Sequence, residues 1–236
     1  LGDVYKRQVS GVAGVGKTVL AKRLLRELRG DGWAAAYVAS PLASAEAAFA
    51  LAARDLGGGG QGLEGLVETL GRLAANGKKI CIAVDDAHAA RLEFLECLRT
   101  LLNVESPGGG SPATILLFGQ EGLLESLRKA SSFDTRLALS VTLPQLSEDE
   151  VKTYILSRLK AAGCHRGIFT KSAADRVCAM AAGLPRRVNR ICDLSLVTAM
   201  GLSKQKINSE VVDMVCQELG LMGKDSGPSS APARRG

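Results

Sequence analysis

Two hydrophobic patterns divide this chain. Up to residue 143, short runs of continuous apolar residues alternate with segments whose apolar residues recur every three or four positions; from Pro144 onward only the second pattern remains. Continuous apolar runs predict strands covered on both faces, and the three-to-four spacing predicts amphipathic helices. Strands are expected at Trp33–Ala39, Ile80–Val84, Ala113–Phe118 and Leu137–Val141, with Val9 the one residue of strand character ahead of Gly11. The first helix is expected to bury Val19, Leu20, Leu24, Leu25 and Leu28 against the sheet. Further helices are expected near residues 44–56, 61–75, 91–104 and 123–129, and then near 147–162, 170–182, 186–200 and 208–219. The fold class is therefore α/β: a three-layer parallel sheet core over residues 9–143 and a small all-α domain over 144–220. Residues 221–236, rich in Gly, Ser and Pro, read as a disordered tail or linker.

Local signals punctuate these elements. Ser147 followed by Glu150 is a capping box opening the first helix of the second domain, and Ser44 is placed to cap an Ala-rich helix. Gly57–Gly60, Pro107–Gly110 and Ser131–Asp134 read as a break, a loop and a turn. Internal repeats are not apparent, which excludes a solenoid.

Composition narrows the function classes. The formal charge is +6, but half of it lies in residues 1–8 and 221–236, and no dense Lys/Arg run marks a nucleic-acid surface; DNA stays a possible partner without being indicated. Six cysteines (81, 97, 164, 178, 192 and 216) stand singly, without a C-x-x-C pair, so neither a zinc site nor a disulfide framework is suggested. Reduced, buried thiols of a cytoplasmic protein are the simplest reading. No apolar run reaches the roughly 20 residues of a membrane helix, so no membrane segment is expected within this chain.

The chemistry concentrates in two stretches. Gly11-Val12-Ala13-Gly14-Val15-Gly16-Lys17-Thr18 reads G-x-x-x-x-G-K-T, a phosphate-binding P-loop. Its glycines let successive N–H groups converge on phosphate oxygens, Lys17 reaches the β- and γ-phosphates, and Thr18 can ligate Mg²⁺. The helix that follows turns its positive dipole end to the same anion. The run Ile80–Val84 then delivers Asp85 and Asp86 at a strand end. This is a Walker B arrangement, in which Asp85 holds Mg²⁺ through its water shell and Asp86 can activate the attacking water. Gln120, after the strand Ala113–Phe118, is placed to orient that water. His88 has two readings, a contact in the nucleotide region or a plain helix N-terminus.

The start of the chain does not fit this scheme. Asp3-Val4-Tyr5-Lys6-Arg7-Gln8 is polar where a buried central strand is expected, and it resembles the in-frame translation of a sequencing-library adaptor. Residues 1–8 are thus expected to be a non-native scar, leaving the first strand truncated, nucleotide binding weak and folding marginal.

Together these motifs resemble the AAA+ ATPases, and within them the general secretion pathway protein A (ExeA-like) group. The matching phrases are Gly11–Thr18, Ser40–Ser44, Val84–His88, Leu98–Glu105, Leu117–Gly122, Leu143–Glu150 and Gly183–Asp193, so the resemblance spans roughly residues 9–220. It implies an ATPase with ATP and Mg²⁺ bound at Lys17, Thr18 and Asp85. Asp86 takes the place of the usual catalytic Glu, one methylene shorter; Gln120 matches sensor 1. Arg136 resembles an arginine finger acting across a subunit interface, and Arg186 matches the sensor-2 arginine of the helical lid. His88 stands where the group usually has Gln. The resemblance further implies a homo-oligomer that remodels or assembles a cell-envelope secretion partner, the full-length protein being tethered to the inner membrane. A DNA-associated ATPase of the transposition or origin-recognition type and a weakly hydrolysing nucleotide-sensing scaffold are the alternatives.

Overall fold

The computed structural model describes residues 6–39, 44–102, 113–123 and 137–222. Five strands, β1 (Lys6–Ser10), β2 (Ala34–Val38), β3 (Ile80–Val84), β4 (Ala113–Gly119) and β5 (Leu137–Thr142), form one parallel sheet in the order β2-β3-β4-β1-β5. Helices α1 (Lys17–Gly30), α2 (Ala45–Asp55), α3 (Gly62–Ala75) and α4 (Leu92–Leu102) accompany it. Four more follow in chain order: α5 (Glu148–Ala161), α6 (Lys171–Ala181), α7 (Pro185–Gly201) and α8 (Ser209–Glu218). The chain divides into two compact units, Leu1–Pro144 and Gln145–Gly236.

Strand alternation makes the first unit three layers deep. Ile80, Ile82 and Val84 of β3, with Ala113, Ile115 and Leu117 of β4, face a core shared with α2, α3 and α4, where the rings of Phe49 and Phe94 stack 4.9 Å apart. The intervening Cys81, Ala83, Leu116 and Phe118 face the opposite side, against Ala21 and Leu25 of α1. A strand covered on both faces must be apolar at every position, and every residue of β3 is buried. The α1 stripe differs from its expectation: Lys17, Ala21 and Leu25 are buried, while Val19 and Leu20 are exposed. The 3.6-residue period anchors on the small Ala21, which the larger neighbours masked in the sequence.

β1 extends further back than Val9 alone suggested. Lys6–Ser10 pair with Ile115–Gly119 of β4 on one edge and, with a register shift between Lys6 and Arg7, with β5 on the other. Main-chain pairing on both edges holds this polar segment, because ladder hydrogen bonds do not depend on side-chain type. The cost sits on Gln8, which is 2% exposed and whose Oε1 has no hydrogen-bond partner among the described residues.

The second unit has its own apolar core, from Val151 and Ile155 through Val188 and Ile191 to Val211, Val212 and Cys216. Three of its helices start at side-chain caps: Ser147 and Glu150 form a complete capping box, Thr170 accepts from Ala173 N–H, and Asn208 from Val211 N–H; α7 starts instead with Pro185 in its first turn. The described cysteines are all free, and burial pushes the thiols of Cys81 and Cys192 up to about 12, away from nucleophilic use. No helix among the described residues is long and apolar enough to cross a membrane.

Candidate nucleotide site

The site lies where β1, β3 and β4 end. After β1 the chain turns through Gly14 and Gly16, with φ of 85° and 114°, conformations an L side chain resists. Gly16 is also the N-cap of α1 and brings no side-chain hydrogen bond to its first turn, an end suited to an anion. Lys17 is 7% exposed, and its Nζ donates to the carbonyls of Gly11 (2.8 Å) and Val12 (3.0 Å). The ammonium is thus folded over the loop that it closes.

Thr18 and Asp85, 67 residues apart, meet directly: the Thr18 hydroxyl donates to Asp85 Oδ2 at 2.5 Å. The same oxygen accepts from the Tyr37 hydroxyl at 2.9 Å, and Oδ1 accepts from the Asp86 backbone N–H at 3.0 Å. Asp85 is only 2% exposed, so three donors hold a buried carboxylate in one orientation. Burial first, and then the bond to Asp85, push the Tyr37 phenol well above its usual range, so it remains a donor. A buried carboxylate beside a hydroxyl with lone pairs to spare is an oxygen donor set suited to Mg²⁺, which takes few protein ligands and completes its shell with water and phosphate.

Asp86 is exposed and sits at φ 49°, a left-handed turn that Asp tolerates better than most residues. From it springs a short 3₁₀ turn, Ala87–Ala89, anchored by the fully buried Ala87. That turn lies against the end of β4. A Cβ on Gly119 would stand 2.8 Å from Leu123 Cδ2 and 3.3 Å from the His88 backbone nitrogen, so a side chain there would crowd Leu123 and press on the turn. Gln120, exposed, donates from Nε2 to His88 Nε2 at 2.9 Å.

The structure therefore brings together Gly11–Thr18, Asp85, Asp86 and Gln120. Arg186 belongs to the second unit, exposed in the first turn of α7. Arg136 lies outside the described residues, as do the expected helix beyond Leu123, the turn at 131–134, the loop at 107–110 and the tail after Met222. One member of the site escaped sequence reasoning. Tyr37 has no motif around it, and its position follows only from the β2–β3 register, with Asp85 N–H donating to Val38 O. His88, for which the sequence offers two readings, has Gln120 as its partner.

Comparison with known proteins gives the family and the fold. The model of a family described as "AAA domain" matches residues 8–127. General secretion pathway protein A of Aeromonas hydrophila is 31% identical over 222 residues, covering 89% of this chain; the chain spans 40% of that relative's length. Among solved structures, Aeropyrum pernix ORC2 in its ADP form superposes with a TM-score of 0.71 at 18% identity, over 92% of this chain and 63% of that one. Pyrobaculum aerophilum Cdc6p gives 0.71 at 19% over 90% and 60%, and a Thermotoga maritima RuvB mutant 0.64 at 16% over 92% and 62%. These structural likenesses show the fold.

Proposed function

The chain belongs to the AAA domain family, and from that premise we propose that it binds and hydrolyses ATP with Mg²⁺ and couples nucleotide state to work on a partner. The observation that carries the proposal is the direct contact of Thr18 with the buried Asp85 beside a lysine-closed phosphate loop. In this reading the loop N–H groups and Lys17 receive the phosphates, and Thr18 and Asp85 hold Mg²⁺. When bound, the ion neutralises charge on the phosphate oxygens. Asp86 accepts a proton from the water that attacks the γ-phosphorus, the bond to the bridging oxygen breaks, and ADP and phosphate leave. Gln120 orients that water. Arg186, and Arg136 supplied across a homo-oligomer interface, complete the set that the family resemblance implies.

The test is steady-state phosphate release with Mg²⁺-ATP together with nucleotide affinity. Lys17→Ala is expected to lower turnover on the order of 100-fold or more, since it removes a charge aimed at the reacting phosphates. A parent protein without nucleotide affinity, or a Lys17→Ala variant that behaves like the parent, overturns the proposal.

For the partner, we favour cell-envelope secretion machinery, supported by the 31% identity to a general secretion pathway protein. A second reading, a DNA-associated ATPase, is favoured by one observation: Arg186, Arg187 and Arg190 are all exposed at the start of α7. DNA that stimulates turnover in the parent but not in an Arg187→Ala/Arg190→Ala variant supports that reading against the first. Brisk turnover that Asp86→Glu does not increase disposes of the scaffold alternative.

A further inference from the structure

His88 is a group in this site that the proposed mechanism leaves unused. Its ring is half-buried, its Nδ1 is buried without a hydrogen-bond partner among the described residues, and its Nε2 lies 2.9 Å from Gln120 Nε2. An amide nitrogen can only donate, so His88 Nε2 is the acceptor and the ring proton belongs on Nδ1. The amide is thereby given a direction: its NH₂ end is taken by the ring, and its oxygen is left to other partners. The turn that carries the ring is held in place, because Ala87 anchors it in the core and Gly119 lets it lie against β4. The turn is closed by Ala89 N–H donating to Asp86 O at 2.9 Å, and the segment after β4 by Leu123 N–H donating to Gln120 O at 2.9 Å.

We propose that His88 is a positioning residue that sets the polarity of the Gln120 amide, so that its oxygen, rather than its NH₂, is offered to the attacking water. This rests on the ATP-hydrolysing reading above. A water that donates one hydrogen to Asp86 and the other to the Gln120 oxygen is fixed in orientation and has its lone pair left for phosphorus. Without His88 the amide is free to turn, and half of its orientations present a donor where an acceptor is needed. The turn that carries the general base thus also orders the group on the neighbouring strand.

Two measurements test it on the 236-residue chain. The first is the ¹⁵N spectrum of histidine-labelled protein, with the signals of His88 and His165 separated by a His165→Gln variant. The expected result is a proton on Nδ1 of His88 and an acceptor-like Nε2 that changes when Gln120 becomes Ala; a proton on Nε2 overturns the proposal. This readout needs no catalysis, so it decides the point even where the parent hydrolyses nothing and the ATPase reading itself falls.

The second is a double-mutant cycle in steady-state hydrolysis. His88→Leu is expected to lower kcat by about 10- to 100-fold, the scale of a misplaced reacting group, with KM for ATP within about twofold because binding rests on other residues. His88→Gln, which retains an acceptor, restores most of the rate. In the Gln120→Ala background His88→Leu costs nothing further. Losses that multiply, or a loss that falls on KM, show that His88 does not act through Gln120.

Discussion

The two units of this chain handle polarity in opposite ways. Among the described residues, the α/β unit buries Gln8, Ser10, Lys17, Thr69 and Asp85, whereas the helical unit buries one polar side chain, Ser195. The helical unit instead keeps its charges at the surface, in the pairs Lys152–Asp175, Arg176–Asp213 and Lys204–Glu210. Surface pairs of this kind, exposed or half-buried, each contribute on the order of 0–1 kcal/mol. Buried polar groups cost more and persist where they are satisfied or used. The buried charges that serve chemistry, Lys17 and Asp85, therefore both lie in the α/β unit, one at the start of α1 and one after β3.

The sharpest way to break that contrast is to neutralise one carboxylate in each unit. Asp85→Asn removes the charge that Thr18 and Tyr37 donate to; phosphate release is expected to fall on the order of 100-fold. Asp213→Asn removes a partner of Arg176 at the surface and is expected to leave turnover near that of the parent. Equal losses in the two variants end the distinction.

The next effect is on stability. Gln8 Oε1 and Ser195 Oγ are both buried without hydrogen-bond partners among the described residues. Gln8→Leu and Ser195→Ala each remove a stranded polar atom and are expected to stabilise by about 1–3 kcal/mol, read from urea unfolding followed by circular dichroism. A destabilised Gln8→Leu shows that the amide is satisfied in solution and narrows the contrast between units.

The smallest effect belongs to pH. The Ser147 backbone N–H, and then its hydroxyl, hold Glu150 below the usual carboxylate range, and Lys152 does the same for Asp175. A carboxyl group depressed on folding adds stability that is complete above its unfolded pKa, near 4, and is lost as pH falls through the lower folded value. The Glu150→Gln variant is expected to be less stable than the parent at pH 7 and to converge with it near pH 2. A gap that persists unchanged into acid assigns the box to packing.

The α/β class was legible because β3 and β4 are apolar at nearly every position, a pattern only a doubly covered strand requires. The start of the second unit's first helix was legible because the Ser147–Glu150 box is a local event between residues three apart. Two contacts around the nucleotide site were not. Tyr37 reaches Asp85 only through the β2–β3 register, and His88 reaches Gln120 only through a left-handed Asp86 and a side-chain-free Gly119. Such contacts arise from the meeting of separate elements, which no window along the chain contains. The exposed Val19 and Leu20 teach the converse, since apolar identity alone did not say which face of α1 turns inward.

The slot that β1 occupies is addressed from both sides by backbone, and this separates placement from fitness. Residues 6–8 are seated by their neighbours' amides and carbonyls, so exchanging their side chains tunes how firmly the ribbon is clasped without redirecting where it goes. A collection of variants at Gln8 would accordingly form a graded series of melting points around one unaltered topology, a dial on robustness that leaves the glycine loop downstream aimed as before.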